Sequence, residues 1–122
     1  MSPKVLRITG WVLTILLGAL LLFSAFRKIA PDEATIAEAA AVGIDAATFF
    51  TIGIIETVSL ILFIVPRTGV LGTLLLASYM GGAIVTHILH QQPFFMAAIV
   101  EALIWITAVI RFPELKQRLI AA

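Results

Sequence analysis

The chain has 122 residues, of which 61% are hydrophobic and only 12% are charged. Ordinary soluble domains carry about 25% charged residues, so this composition excludes a soluble monomer and predicts one membrane domain over residues 1–122. A net charge of +1 offers no basic field for nucleic acid. With no cysteine and only two histidines, disulfides, thiolate zinc sites, iron–sulfur clusters and a three-histidine metal site in one subunit are excluded.

Four apolar runs predict an all-α bundle of four transmembrane helices, at residues 5–26, 46–65, 70–89 and 94–110. At 1.5 Å per residue, each run covers roughly the 30 Å of a bilayer's hydrocarbon core. Ser2 and Asp45 are expected to cap the first two spans, and Gln92–Pro93 to begin the fourth. A signal peptide is the alternative for the first run, but its length and its Arg27–Lys28 ending argue against cleavage.

A short helix is predicted on the outer surface, between the first two spans. Residues 31–43 are rich in alanine. Pro31 suits the first helical position, and Asp32 and Glu33 suit the first turn, where the helix dipole favours acids. After Pro113 a short basic, amphipathic tail is expected to lie at the membrane surface.

The Lys and Arg residues predict the orientation of the chain. Arg27 and Lys28 fall on one side of the predicted membrane, whereas six fall on the other: Lys4, Arg7, Arg67, Arg111, Lys116 and Arg118. Cytoplasmic loops carry the excess of Lys and Arg, so both termini should be cytoplasmic. The expected localisation is therefore the inner membrane, as a multi-pass protein in contact with the lipid bilayer.

Three titratable side chains, Glu56, His87 and Glu101, lie inside the predicted spans. A charge at the centre of a transmembrane helix costs roughly 2.5–3.5 kcal/mol, so such residues usually mark functional sites. Counting along the helices places all three in the outer half of the membrane or near its midplane, each on a stripe of small or polar residues. We predict that they share one interior cavity; a purely structural polar network is the alternative.

The residues around the predicted cavity indicate how a ligand would bind and exchange protons there. Glu56, His87 and Glu101 are the candidate catalytic residues, which would hold or relay protons at the polar head of a small lipophilic molecule. Candidate ligand-binding residues are Lys28 near the rim, Ser24 on the first span, and Tyr79 and Trp105 below. A quinone-like molecule fits this description. The sequence leaves open whether the protein is an enzyme.

The sequence leaves three other functions open. A small proton-coupled transporter would use a membrane glutamate, although the first span carries none. An accessory or assembly subunit would pack into a homo-oligomer or a larger membrane complex through small residues such as Ser78 and Gly82. Haem bound by His87 or His90 across a dimer is the least favoured alternative.

Several motifs along the chain resemble one known family. The first span ends in LLFSAFRKI, the second carries Gly53-Ile-Ile-Glu56, residues 64–87 read IVPRTGVLGTLLLASYMGGAIVTH, and residues 111–115 read RFPEL. With these motifs the sequence resembles the DoxX-like family of small four-helix bacterial membrane proteins. The resemblance implies that the family's polar positions fall on Lys28, Glu56 and His87, and it leaves a quinone-linked role open. Relatives with maturation roles use cysteines, which this chain lacks.

Overall fold

The computed structural model describes residues 2–120, and every regular element in that range is helical. The helices are α1 (Pro3–Ile29), α2 (Glu33–Ala41), α3 (Ala46–Ile64), α4 (Gly69–Leu89), α5 (Phe95–Arg111) and α6 (Pro113–Ile120), with a single 3-10 turn at Pro66–Thr68. The all-α prediction is confirmed. The four long helices begin and end within about three residues of the predicted spans.

The four long helices form a ring around one core. α1 packs against α3 and α5, and α4 packs against the same two helices. Phe63, Leu76 and Ile104 are wholly buried at the centre. The outward surface is also apolar, since Ile15 and Leu16 on α1 are 66% and 62% exposed. A helix that is apolar on all faces is typical of a membrane span.

Three helices are long and apolar enough to cross a membrane: α1, α3, and α4 with its preceding turn. α5 meets the same criterion only together with α6, from which it is bent by 111°. The bend lies at Phe112, whose extended backbone is what a following proline favours. The structure therefore contains three or four candidate spans.

The helix starts test the predicted caps. Ser2 Oγ accepts a hydrogen bond from the Val5 N–H at 3.2 Å, and Asp45 Oδ1 accepts one from the Thr48 N–H at 2.8 Å, so both predicted caps are confirmed. The hydrogen bond from the Thr48 N–H holds the pKa of Asp45 below its usual value.

The predicted start of the fourth long helix is wrong. α5 begins after Phe94, and Gln92–Pro93 lies in the irregular connection before it. Gln91 adopts a φ of 55°, and the Gln92 N–H donates to the His87 carbonyl at 2.8 Å. These features close the end of α4, and residues 92–94 separate that turn from α5.

The predicted short helix is present as α2, but it begins later than expected. Asp32 is the N-cap and accepts a hydrogen bond from the Thr35 N–H at 2.8 Å, so Pro31 precedes the helix rather than starting it. Arg27 at the end of α1 donates to Thr35 Oγ1 at 3.0 Å and pairs with Glu38 at 3.2 Å. These contacts hold α2 against the end of α1.

Candidate functional site

A buried polar cluster of Ser24, Lys28 and Glu56 joins α1 to α3. Lys28 Nζ lies 3.0 Å from Glu56 Oε1 and 2.6 Å from Ser24 Oγ, and Ser24 Oγ lies 3.4 Å from the same carboxylate oxygen. Glu56 has no exposed surface, and the Lys28 side chain is 15% exposed. The cluster is therefore an ion pair almost wholly removed from the surface of the bundle.

The close approach of two helices at Gly53 makes this ion pair possible. A Cβ atom at Gly53 would lie 2.8 Å from Lys28 Cβ and 3.2 Å from the Ala25 carbonyl oxygen, so a larger residue would push α1 away. Gly53 is three residues before Glu56 and shares its buried face. The Gly53-x-x-Glu56 spacing thus lets α1 come near enough for Lys28 to reach the carboxylate.

The hydrogen bonds of the cluster leave one position unfilled. The Lys28 ammonium has three N–H donors and is close to three acceptors: Ser24 Oγ, the Ser24 carbonyl oxygen and Glu56 Oε1. The rings of Phe49 and Tyr79 flank Nζ, with centroids 5.8 Å and 5.9 Å away. Glu56 Oε2, in contrast, is buried and accepts no hydrogen bond of good geometry within residues 2–120, although the Tyr79 hydroxyl lies beside the carboxylate.

Glu101 and Trp105 form a second, separate polar contact on α5. Trp105 Nε1 donates to Glu101 Oε1 at 3.0 Å, across one helical turn. Glu101 is partly exposed, and its Oε2 would lie 4.0 Å from a Cβ atom at Gly81, which places the carboxylate beside α4. Glu101 and Trp105 therefore contact each other, but their hydrogen bond stays within one helix.

His87 lies near the end of α4 and is partly buried. Its Nδ1 is 2.6 Å from the Ala83 carbonyl oxygen on the same helix. Across residues 2–120, no hydrogen bond or ion pair joins either His87 or Glu101 to Glu56. The structure thus brings Ser24, Lys28 and Glu56 together beside Tyr79, and holds the other predicted site residues through contacts of their own.

Arg111 has a structural role that its sequence context does not reveal. Its Nη1 and Nη2 donate to the Phe63 and Ile64 carbonyl oxygens, each at 2.8 Å. The last carbonyls of a helix lack partners within that helix, and arginine can supply them. The rings of Trp11 and Phe112 lie 4.8 Å and 4.7 Å from the guanidinium carbon. Its carbonyl partners and Trp11 are all distant in the sequence, so no local pattern signalled this role.

Within the described part of the chain, no group of three or more His, Cys, Asp or Glu side chains is placed to hold a metal ion. No curated protein and no solved structure is significantly similar to the chain. One family model does match, that of the DoxX-like family, over residues 12–110. That range contains α3, α4 and most of α1 and α5, with Ser24, Lys28 and Glu56 inside it. The chain therefore belongs to the DoxX-like family.

Proposed function

We propose that this membrane protein binds the polar head of a small lipophilic molecule at Glu56. The observation that carries the proposal is the buried Glu56 Oε2, which has no hydrogen-bond partner although its carboxylate is paired with Lys28. An unsatisfied buried acceptor costs about 1–3 kcal/mol or more when charged, so a donor supplied by a ligand would bind favourably there.

The unpaired oxygen Glu56 Oε2 determines which chemical group the ligand head must carry. Glu56 Oε2 accepts a hydrogen bond, so the ligand head must carry a donor such as a hydroxyl group. Lys28 has no donor left for a ligand carbonyl, since its three N–H groups face Ser24 and Glu56. A quinone-like ligand would therefore bind better in its hydroxyl-bearing, reduced form than as the oxidised quinone.

The proposed site extends from this cluster into the bundle. Tyr79 and Phe49 supply aromatic walls beside Lys28 for the apolar part of the head. We propose His87, Glu101 and Trp105 as the further wall of the same interior. Support for this extension is that His87 and Glu101 are both partly buried polar side chains on the two remaining helices of the ring.

Binding of a short-chain quinol tests the proposal. The protein in lipid nanodiscs should bind decylubiquinol more tightly than decylubiquinone, as measured by isothermal titration calorimetry. Glu56→Gln should weaken decylubiquinol binding by about tenfold or more, because it removes a charge-assisted hydrogen bond. If the extended site is correct, Glu101→Gln should weaken binding as well.

The control for this measurement is Glu38→Gln, the same change at a largely exposed glutamate that pairs with Arg27 on the surface. It should leave the Kd unchanged. Equal binding of the quinol by Glu56→Gln and by the unmodified protein would refute the site at Glu56. An unchanged Kd in Glu101→Gln would confine the site to Ser24, Lys28 and Glu56.

We also propose four spans with both termini in the cytoplasm of an inner membrane. α5, with 17 residues, is about 26 Å long and is the proposed fourth span. Arg111, at the end of α5, bonds to carbonyls at the end of α3 and stacks on Trp11 near the start of α1. These contacts join the ends of α3 and α5 to the start of α1. They support a bundle with one basic end, which carries six of the eight Lys and Arg residues.

Cysteine labelling tests this topology, and the chain is suited to it because it has no cysteine of its own. In intact cells, a membrane-impermeant maleimide should label Ala37→Cys on α2 but not Ser2→Cys. Both variants should react after the membrane is permeabilised. Labelling of Ser2→Cys in intact cells would reverse the proposed orientation.

A further inference from the structure

A pocket of about 480 Å³ opens at the basic end of the bundle, where α1 begins and α5 bends into α6. Arg7, Trp11, Arg111 and Glu114 line it together with apolar side chains. Glu114 is the only acidic residue at this end among residues 2–120, against six Lys and Arg residues. Two arginines and one glutamate therefore line the pocket, at an end of the bundle with an excess of positive charge.

Two of its cations have no anionic partner. Within residues 2–120, neither Arg7 nor Arg111 has a carboxylate within 4 Å, although Glu114 lines the same pocket. Arg111 gives two of its five N–H donors to the neutral carbonyls of Phe63 and Ile64. Their charges are thus not neutralised, and the planar guanidinium groups suit a phosphate.

A second, apolar groove of about 360 Å³ begins at the same tryptophan. Trp11 lines both spaces, and the groove follows α1 from Trp11 through Ile15 and Ala19 to Leu22, with α3 as its other wall. The eleven steps along the helix from Trp11 to Leu22 cover about 16 Å, which is close to half of the roughly 30 Å hydrocarbon core. The groove is therefore about as long as one leaflet is thick.

We propose that the pocket and groove together bind one anionic phospholipid. Its phosphate lies between Arg7 and Arg111, and one acyl chain follows the groove from Trp11 towards Leu22. Basic pockets at a membrane surface recognise anionic head groups in this way. Free phosphate has the same charge chemistry, but it would use the pocket alone, whereas the groove that shares Trp11 with the pocket accounts for a chain attached to the head.

Lipid retention tests the head-group site. The detergent-solubilised protein is mixed with equal amounts of palmitoyl-oleoyl phosphatidylglycerol and phosphatidylcholine, and bound lipid is counted by native mass spectrometry. Phosphatidylglycerol should be retained in preference. Arg7→Gln should lower its retention about tenfold, as expected for one lost hydrogen bond to a charged group. Arg67→Gln removes the same charge at the same end, outside the pocket, and should have no effect.

A second pair of variants tests the groove. Ala19→Phe fills it from an exposed position, and Leu16→Phe adds an aromatic ring on an exposed part of α1 that does not line it. Ala19→Phe should lower phosphatidylglycerol retention, Leu16→Phe should not, and both should keep the Tm of the unmodified protein. Equal retention of the two lipids, together with unchanged phosphatidylglycerol retention in Arg7→Gln, would overturn the proposal. The proposal would also be overturned if inorganic phosphate displaced the phosphatidylglycerol and Ala19→Phe had no effect on its retention. That result would indicate a site for phosphate alone.

Discussion

Lys28→Met should lower the free energy of unfolding by about 3–5 kcal/mol, the loss expected when one partner of a buried ion pair is removed. The variant leaves Glu56 wholly buried with neither carboxylate oxygen paired to a cation. Methionine has nearly the volume of the lysine stem, so the loss reports the missing charge rather than a cavity. Unfolding in mixed micelles, followed by circular dichroism, provides the measurement.

A double-mutant cycle separates the ion pair from other effects of these side chains. Lys28→Met/Glu56→Gln removes both charges and keeps both shapes, so its stability should return to within about 1–2 kcal/mol of the unmodified protein. Arg27→Met, at the largely exposed pair with Glu38, is the matched control and should cost at most about 1 kcal/mol. If the double variant lost as much free energy of unfolding as the two single variants lose together, the charges would not interact.

Gly72→Ala should destabilise the bundle by about 3 kcal/mol, at the upper end of the usual cost of overpacking. An added Cβ at Gly72 would overlap the Phe63 amide nitrogen and the Leu62 carbonyl carbon, both of which belong to the backbone of α3. A backbone cannot rotate away as a flexible side chain can, so α3 and α4 would have to separate. The same mixed-micelle unfolding measures the loss.

Gly82→Ala is the internal control for this substitution. It adds the same methyl group to the same helix, at a position with no neighbouring atom within 4 Å of the new Cβ. It should be neutral or slightly stabilising, because alanine favours helix over glycine. Equal losses in the two variants would show that helix propensity, rather than the contact with α3, governs the effect.

The helices were predictable because bilayer thickness fixes the length of an apolar run and short polar side chains fix its start. Ser2 and Asp45 cap α1 and α3 through residues three positions along, so a local pattern sufficed. Pro31 and Pro93 were misplaced because proline fits both the first turn of a helix and the connection before it. Local sequence does not choose between those two positions.

The candidate site was predictable in its residue types but not in its pairings. The position of Glu56 inside an apolar run signalled its importance, and its spacing from Gly53 was visible in the sequence. That Lys28 bonds to it depends on how closely α1 crosses α3, which no local pattern encodes. Arg111 was missed for the same reason, since its carbonyl partners lie 47 and 48 residues earlier in the chain.

The two long-range polar links also bear on the order in which the protein is assembled. The partners Lys28 and Glu56 both precede α4, so their bond can form while the later half of the chain is still being synthesised. The carbonyl oxygens at the end of α3 gain their side-chain donors only when Arg111 has been synthesised. Arg111 ends α5, which is the last of the four long helices to be made. We therefore expect biogenesis to begin with an α1–α3 hairpin and to finish when α5 docks.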